Sequence, residues 1–170
     1  MKDNRKRTKK VALLAICTSL ALLLSYVEML IGPLFTGVPG IKMGLPNIVI
    51  MFILYRVGAK EAIVISFVRI VITSILFGNV TMFWYSLAGA LLSLATMIIL
   101  KKLNFLSAVG VSVAGALMHN VGQIIVAMLL MHTTQLAYYM IVLAITGTIS
   151  GIFIGLAGGY VINRFSRIDI

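Results

Sequence analysis

The sequence predicts an all-α integral membrane protein, a compact bundle of six transmembrane helices with both termini cytoplasmic. Three observations lead there. Of 170 residues, 61% are hydrophobic and 11% charged, for a mean hydropathy of +1.13; a soluble domain is nearer half apolar and a quarter charged. The apolar residues gather into six runs of ~20 residues, the length that crosses a hydrocarbon core of ~30 Å. The charged residues collect almost entirely at the ends of those runs.

Taken in order, residues 1–10 form a basic cytoplasmic tail, in which Lys2, Arg5, Lys6, Arg7, Lys9 and Lys10 precede the first apolar run. Span one covers about 11–31. It shares a basic leader with signal peptides, but no small-x-small cleavage site follows, so it is expected to be retained. The remaining spans read as about 41–57, 61–77, 80–100, 106–131 and 136–162, with 163–170 as a cytoplasmic tail. The turns between them are too short to contain folded loops, so up-down alternation follows. With the N-terminus inside, the tail charges, Arg56, Lys60, Lys101, Lys102, Arg164 and Arg167 all fall on the cytoplasmic side, leaving only Lys42 and Arg69 elsewhere. This is the asymmetry that sets membrane orientation. The turns near 32–42, 78–80 and 132–135 then face outward.

Charge and composition also exclude functions. The net charge of +10 does not mark a nucleic-acid protein, because the basic residues sit at helix ends rather than on one folded face. The four acids, Asp3, Glu28, Glu61 and Asp169, form no cluster. A metal-dependent prenyl synthase or phosphotransferase needs several oxygen ligands together, so neither an enzyme nor a metal site is expected. A single Cys17 and two histidines offer no disulfide and no zinc signature. No phosphate-cradling glycine loop with its Lys-Ser/Thr is present, and no cofactor is expected.

Function must therefore sit among the helices. Arg69 lies near the middle of span three, about nine residues and roughly 13 Å from its inner end. An arginine at that depth is costly unless it faces the bundle interior. It is either pinned by helix carbonyls or it serves a ligand. Span five supplies His119 and Gln123 on one face by their i,i+4 spacing, with Asn120 about a hundred degrees round; these either line a pocket or join helices by hydrogen bonds. The stretch from Gly32 to Asn47 holds all three prolines and four of the 15 glycines, a density that prevents a continuous helix. It reads as a gate over an outward pocket or as a plain turn, with Pro39 and Gly40 at its centre and Glu28 and Lys42 flanking it as a candidate ion pair. Lys42, Arg69 and the neutral amides make the outer half lean cationic, favouring an anionic or strongly polar ligand. Phe35, Phe77, Phe83, Trp84 and Tyr85 lie toward the same side, where they either contact a ligand ring or, the favoured reading, form an interface belt.

Small residues mark contact faces. Gly147, Gly151, Gly155 and Gly159 recur every four residues along span six, and Ala15 with Ser19 offers a weaker version on span one. In lipid such faces let helices approach closely, either inside the bundle or against a partner membrane protein.

The ordered set Pro39-Gly40-Ile41-Lys42-Met43-Gly44-Leu45-Pro46-Asn47, Gly58-Ala59-Lys60-Glu61-Ala62, Arg69, Leu76-Phe77-Gly78, Tyr85-Ser86-Leu87-Ala88-Gly89-Ala90 and His119-Asn120-Val121-Gly122-Gln123 resembles the Gx transporter family, also labelled heptaprenyl diphosphate synthase component I. The resemblance covers nearly the whole chain. Pro46 stands where that family's Lys-x-Gly-Leu-x-Asn pattern leads one to expect a small residue. The family is similar to the S components of energy-coupling-factor transporters. The resemblance therefore implies a bacterial multi-pass cell-membrane protein with an outward-side pocket. It also implies docking through span one to a transmembrane coupling subunit with two ATPases, although Ala15 and Ser19 stand in place of an Ala-x-x-x-Ala motif.

On this basis Lys42, Asn47, Arg69, His119, Asn120 and Gln123 are expected to line a small-molecule site. The cargo suggested by the family's company in electron-transfer gene clusters is flavin-, quinone- or isoprenoid-related. The other reading is a non-catalytic membrane subunit of an isoprenoid, quinone or extracellular electron-transfer assembly. Membrane lipid is an expected partner in either case, and nucleic acid is not.

Overall fold

The computed structural model describes residues 2–36 and 44–165. Six α-helices are found there: α1 Lys2–Thr36, α2 Pro46–Arg56, α3 Ala59–Phe77, α4 Val80–Leu103, α5 Ala108–Met131 and α6 Met140–Arg164, the last preceded by a 3-10 turn at Gln135–Tyr139. Four of them, α1, α4, α5 and α6, are long and apolar enough to cross a membrane, and the fold is a membrane helical bundle. α3 has 19 residues and carries Lys60, Glu61 and Arg69.

Local chemistry sets the ends. The Asn79 side chain accepts from the Met82 amide at 2.8 Å to start α4, and Ser107 accepts from Gly110 at 3.3 Å to start α5. Both are N-caps that satisfy orphan donors. Two helices depart from expectation. α1 runs through the basic segment, where Lys and Arg are good helix formers, and it continues past Gly32-Pro33 to Thr36. Pro33 removes only one donor there, close to the helix end, where carbonyls are already losing partners. α2, expected over 41–57, is described only from Pro46. Its 11 residues make ~16 Å at 1.5 Å per residue, about half the hydrocarbon thickness.

That short helix is the centre of the core. Val49, Ile50, Met51, Phe52, Ile53 and Leu54 are all buried, as expected of a helix that is apolar on every side. Around it the contacts close a ring, α2 to α3 to α4 to α5 to α6 and back to α2, while α1 lies against α2 and α3. The outer surface is apolar: Phe153 is 77% exposed, Ile141 68% and Phe105 83%. Apolar exposure on this scale suits lipid rather than water.

The glycine stripe of α6 faces inward. A Cβ at Gly151 would come within 2.7 Å of the Val113 Cα and one at Gly155 within 2.7 Å of the Val109 Cα, so the α5 backbone occupies the groove. Gly147 lies beneath the Asn120 side chain, and Gly159 at the end of the stripe meets only Ala108 at 4.0 Å. Of the two readings of this stripe, the partner-docking one is corrected for Gly147, Gly151 and Gly155: α5 fills the face a partner would need. α4 and α5 are pressed together in the same way, a Cβ at Gly122 meeting the Ala88 carbonyl oxygen at 2.6 Å. Ala15 and Ser19, by contrast, lie on the exposed face of α1.

One end of the bundle is tied by cations. Lys10 pairs with Glu61. Lys101 donates to the Leu54 carbonyl at 2.6 Å, at the C-terminus of α2, and sits 5.0 Å above the Tyr55 ring. Arg56 donates to the Phe165 carbonyl at 3.0 Å, just past α6. Cations at helix C-termini oppose the exposed carbonyl dipoles.

Candidate functional site

Toward the opposite end, a cavity of about 40 Å³ opens between the helices, lined by Glu28, Gly44, Pro46, Asn47, Arg69, Ser86, Ala116, His119, Asn120, Ser150 and Ile154. Every α-helix contributes at least one wall residue. Because a buried water needs about 10–15 Å³ on this scale, the space admits roughly three waters, the size of a polar headgroup.

α1 presents Ala21, Ser25 and Glu28 at helical spacing on its inward side, with Ala21 fully buried and Glu28 8% exposed. Arg69 of α3 reaches this face. Its Nη1 donates to the Ser25 hydroxyl at 3.3 Å, Glu28 lies within electrostatic reach, and Nε is buried with no partner among the described residues. Gly44 enters the site in a left-handed conformation, φ +78°, and a Cβ there would meet the Ile154 side chain at 2.9 Å. That bend aims the Gly44 amide at the Glu28 carboxylate, to which it donates, and it brings Asn47 to the wall at the start of α2.

α5 forms the facing wall. The His119 ring lies against Gly89 of α4, where any Cβ would come within 2.8 Å of it; the glycine makes room for the imidazole. Asn120 uses its side-chain amide to donate to the Leu143 carbonyl of α6 at 2.7 Å. It thus serves the bundle as well as the cavity, and its carbonyl oxygen and second amide hydrogen are left for other contacts. Ser150 donates to the Gly147 carbonyl at 3.2 Å.

The structure brings together Asn47, Arg69, His119 and Asn120 of the residues singled out from the sequence. Gln123, one turn beyond His119, is not among the wall residues. Lys42, Pro39 and Gly40 lie outside the described residues. Glu28, read from the sequence as a gate or ion-pair residue, is a wall of the cavity itself. Gly44, Ser86 and Ser150 join it without having been expected as site residues, because serines and glycines are common throughout these helices. The cationic lean expected of this region rested partly on Lys42, which lies outside the described residues; of the described walls, Glu28 and Arg69 carry charge, of opposite sign. The aromatic residues Phe77, Phe83, Trp84 and Tyr85 do not line the cavity; Phe77 packs on Tyr26 at 5.0 Å and Phe83 on Trp84 at 5.4 Å.

The profile of the family described as heptaprenyl diphosphate synthase component I matches residues 17–161, and the chain belongs to that family. No curated protein and no solved structure matches it.

Proposed function

We propose that this member of the heptaprenyl diphosphate synthase component I family is the membrane-embedded substrate-binding subunit of a small-molecule transporter, similar to the S components of energy-coupling-factor systems. The observation that carries this reading is the cavity: Glu28, Asn47, Arg69, His119 and Asn120 converge from four helices at a depth where polar groups are costly and are usually functional. The chain takes a polar ligand from the outer side, at the end of the bundle opposite Lys10 and Glu61. The exposed Ala15 and Ser19 face of α1 is where a transmembrane coupling subunit with two ATPases would dock. The protein itself is not an enzyme in this reading.

The family's description favours one alternative, a non-catalytic membrane subunit of an isoprenoid, quinone or electron-transfer assembly. A catalytic synthase role has little support, because magnesium-dependent prenyl transfer needs clustered carboxylates. Here Glu28 lies in the cavity while Glu61 pairs with Lys10 at the far end.

Purification of the tagged protein from its native membrane in mild detergent, with mass spectrometry of co-purifying proteins, separates the two. Recovery of a coupling subunit with two ATPases supports transport; recovery of a prenyl synthase or redox proteins overturns it in favour of the assembly subunit. Arg69→Ala is expected to abolish ligand uptake while leaving expression intact, and normal uptake by that variant would remove Arg69 from the site.

A further inference from the structure

We infer that Glu28 sets the charge selectivity of the cavity, so that it accepts a compact headgroup of no net charge carrying both hydrogen-bond donors and acceptors, and turns phosphate-rich anions away. This deepens the ligand-binding reading above and rests on it.

The argument begins with Arg69. A guanidinium whose buried Nε has no partner among the described residues is a strong attractor of phosphate and carboxylate oxygens, since its forked donors match those groups. Standing alone, it would make the cavity an anion site. Glu28 changes that. Its carboxylate is 8% exposed, is held at the cavity wall by the Gly44 amide, and acts electrostatically on Arg69. Among the described walls, an anion approaching Arg69 therefore meets a negative charge of the same sign as its own. Between the helices that repulsion is screened less than it would be at a surface.

The neutral walls point the same way. Asn120 spends one of its two amide hydrogens on the Leu143 carbonyl, and Ser150 spends its hydroxyl hydrogen on the Gly147 carbonyl. Ser150 then offers the cavity acceptor oxygen, and Asn120 offers a carbonyl oxygen beside its second N–H. Together with Glu28 they give three acceptor walls opposite the Arg69 donors. An ionised phosphate brings acceptors only and leaves those oxygens unmatched, whereas an amide, imide or zwitterionic headgroup brings donors to them and an acceptor to Arg69.

The test uses the purified full-length chain in detergent, with inorganic diphosphate as the probe in titration calorimetry. Wild type is expected to give no binding at millimolar concentration. Glu28→Gln, which keeps the side chain's shape and removes its charge, is expected to gain diphosphate affinity by at least about tenfold. Adding Arg69→Gln to it should abolish that gain. A folded Glu28→Gln protein with no gain overturns the inference. So does wild-type binding of diphosphate that Arg69→Gln abolishes, a result that does not depend on how Glu28→Gln folds. Analysis of small molecules released from the native-membrane preparation distinguishes the two levels of the argument. A phosphorylated compound overturns the charge assignment while keeping the binding-subunit reading; a net-neutral compound supports both.

Discussion

Asn120 and Arg69 show how differently two polar side chains can use the same cavity. Arg69 has one long contact, to Ser25 at 3.3 Å, and a buried donor without a partner among the described residues, which is the condition of a group waiting for a ligand. Asn120 is already committed to the Leu143 carbonyl at 2.7 Å, over the space left by Gly147. We expect Asn120→Asp to replace that donor with an oxygen facing a carbonyl and to destabilise the bundle by about 1–3 kcal/mol, the usual result of leaving a buried acceptor unsatisfied. Thermal unfolding in detergent measures it; an unchanged midpoint would show that the Leu143 contact contributes nothing. The residue types of this site were legible in the sequence, because an arginine, a histidine and amides inside apolar runs stand out. Their partners were not. That Glu28 faces Arg69 depends on how α1 leans on α3, and that His119 rests on Gly89 depends on the α4–α5 approach; neither contact has a local signature.

At the scale of the element, α6 carries its own control experiment. A Cβ at Gly155 would lie 2.7 Å from the Val109 Cα, backbone that cannot rotate away, whereas one at Gly159 would meet nothing nearer than Ala108 at 4.0 Å. Gly155→Ala should therefore force α5 and α6 apart and cost about 1–3 kcal/mol, as overpacking does. Gly159→Ala should be neutral or stabilising by up to about 1 kcal/mol, the helix-propensity difference between the two residues. Equal midpoints for the two variants in detergent would mean that the stripe does not form the α5 contact. The four-residue spacing revealed a contact face but not its partner, since periodicity describes one helix and packing requires two. The start of α2 was not legible for a related reason. Its apolar run continues upstream of Pro46, and hydropathy cannot tell helix from irregular backbone; Pro46 at the first turn and the left-handed Gly44 mark where the described helix begins.

For the molecule as a whole, the basic residues divide the bundle into unlike ends. Alternation of the helices brings Lys9 and Lys10 of α1, Arg56 of α2, Lys60 of α3, Lys101 and Lys102 of α4 and Arg164 of α6 to one end; the cavity opens toward the other. Several of these cations also hold the bundle together there, through Glu61 and the Leu54 and Phe165 carbonyls. An anionic cytoplasmic leaflet attracts each such residue by about 1 kcal/mol, and positively charged loops resist translocation, so the basic end should be cytoplasmic and the cavity should face outward. Cysteine labelling tests this, because Cys17 is the sole native cysteine and is buried. In a Cys17→Ser background, Thr134→Cys places a thiol in the turn before α6, and Phe105→Cys places one in the exposed turn between α4 and α5 at the basic end. A membrane-impermeant maleimide applied to intact cells should label Thr134→Cys, and should reach Phe105→Cys only after the cells are opened. The reverse pattern would turn the cavity toward the cytoplasm, and capture of a ligand from outside would then have to be abandoned even if Arg69 still bound one.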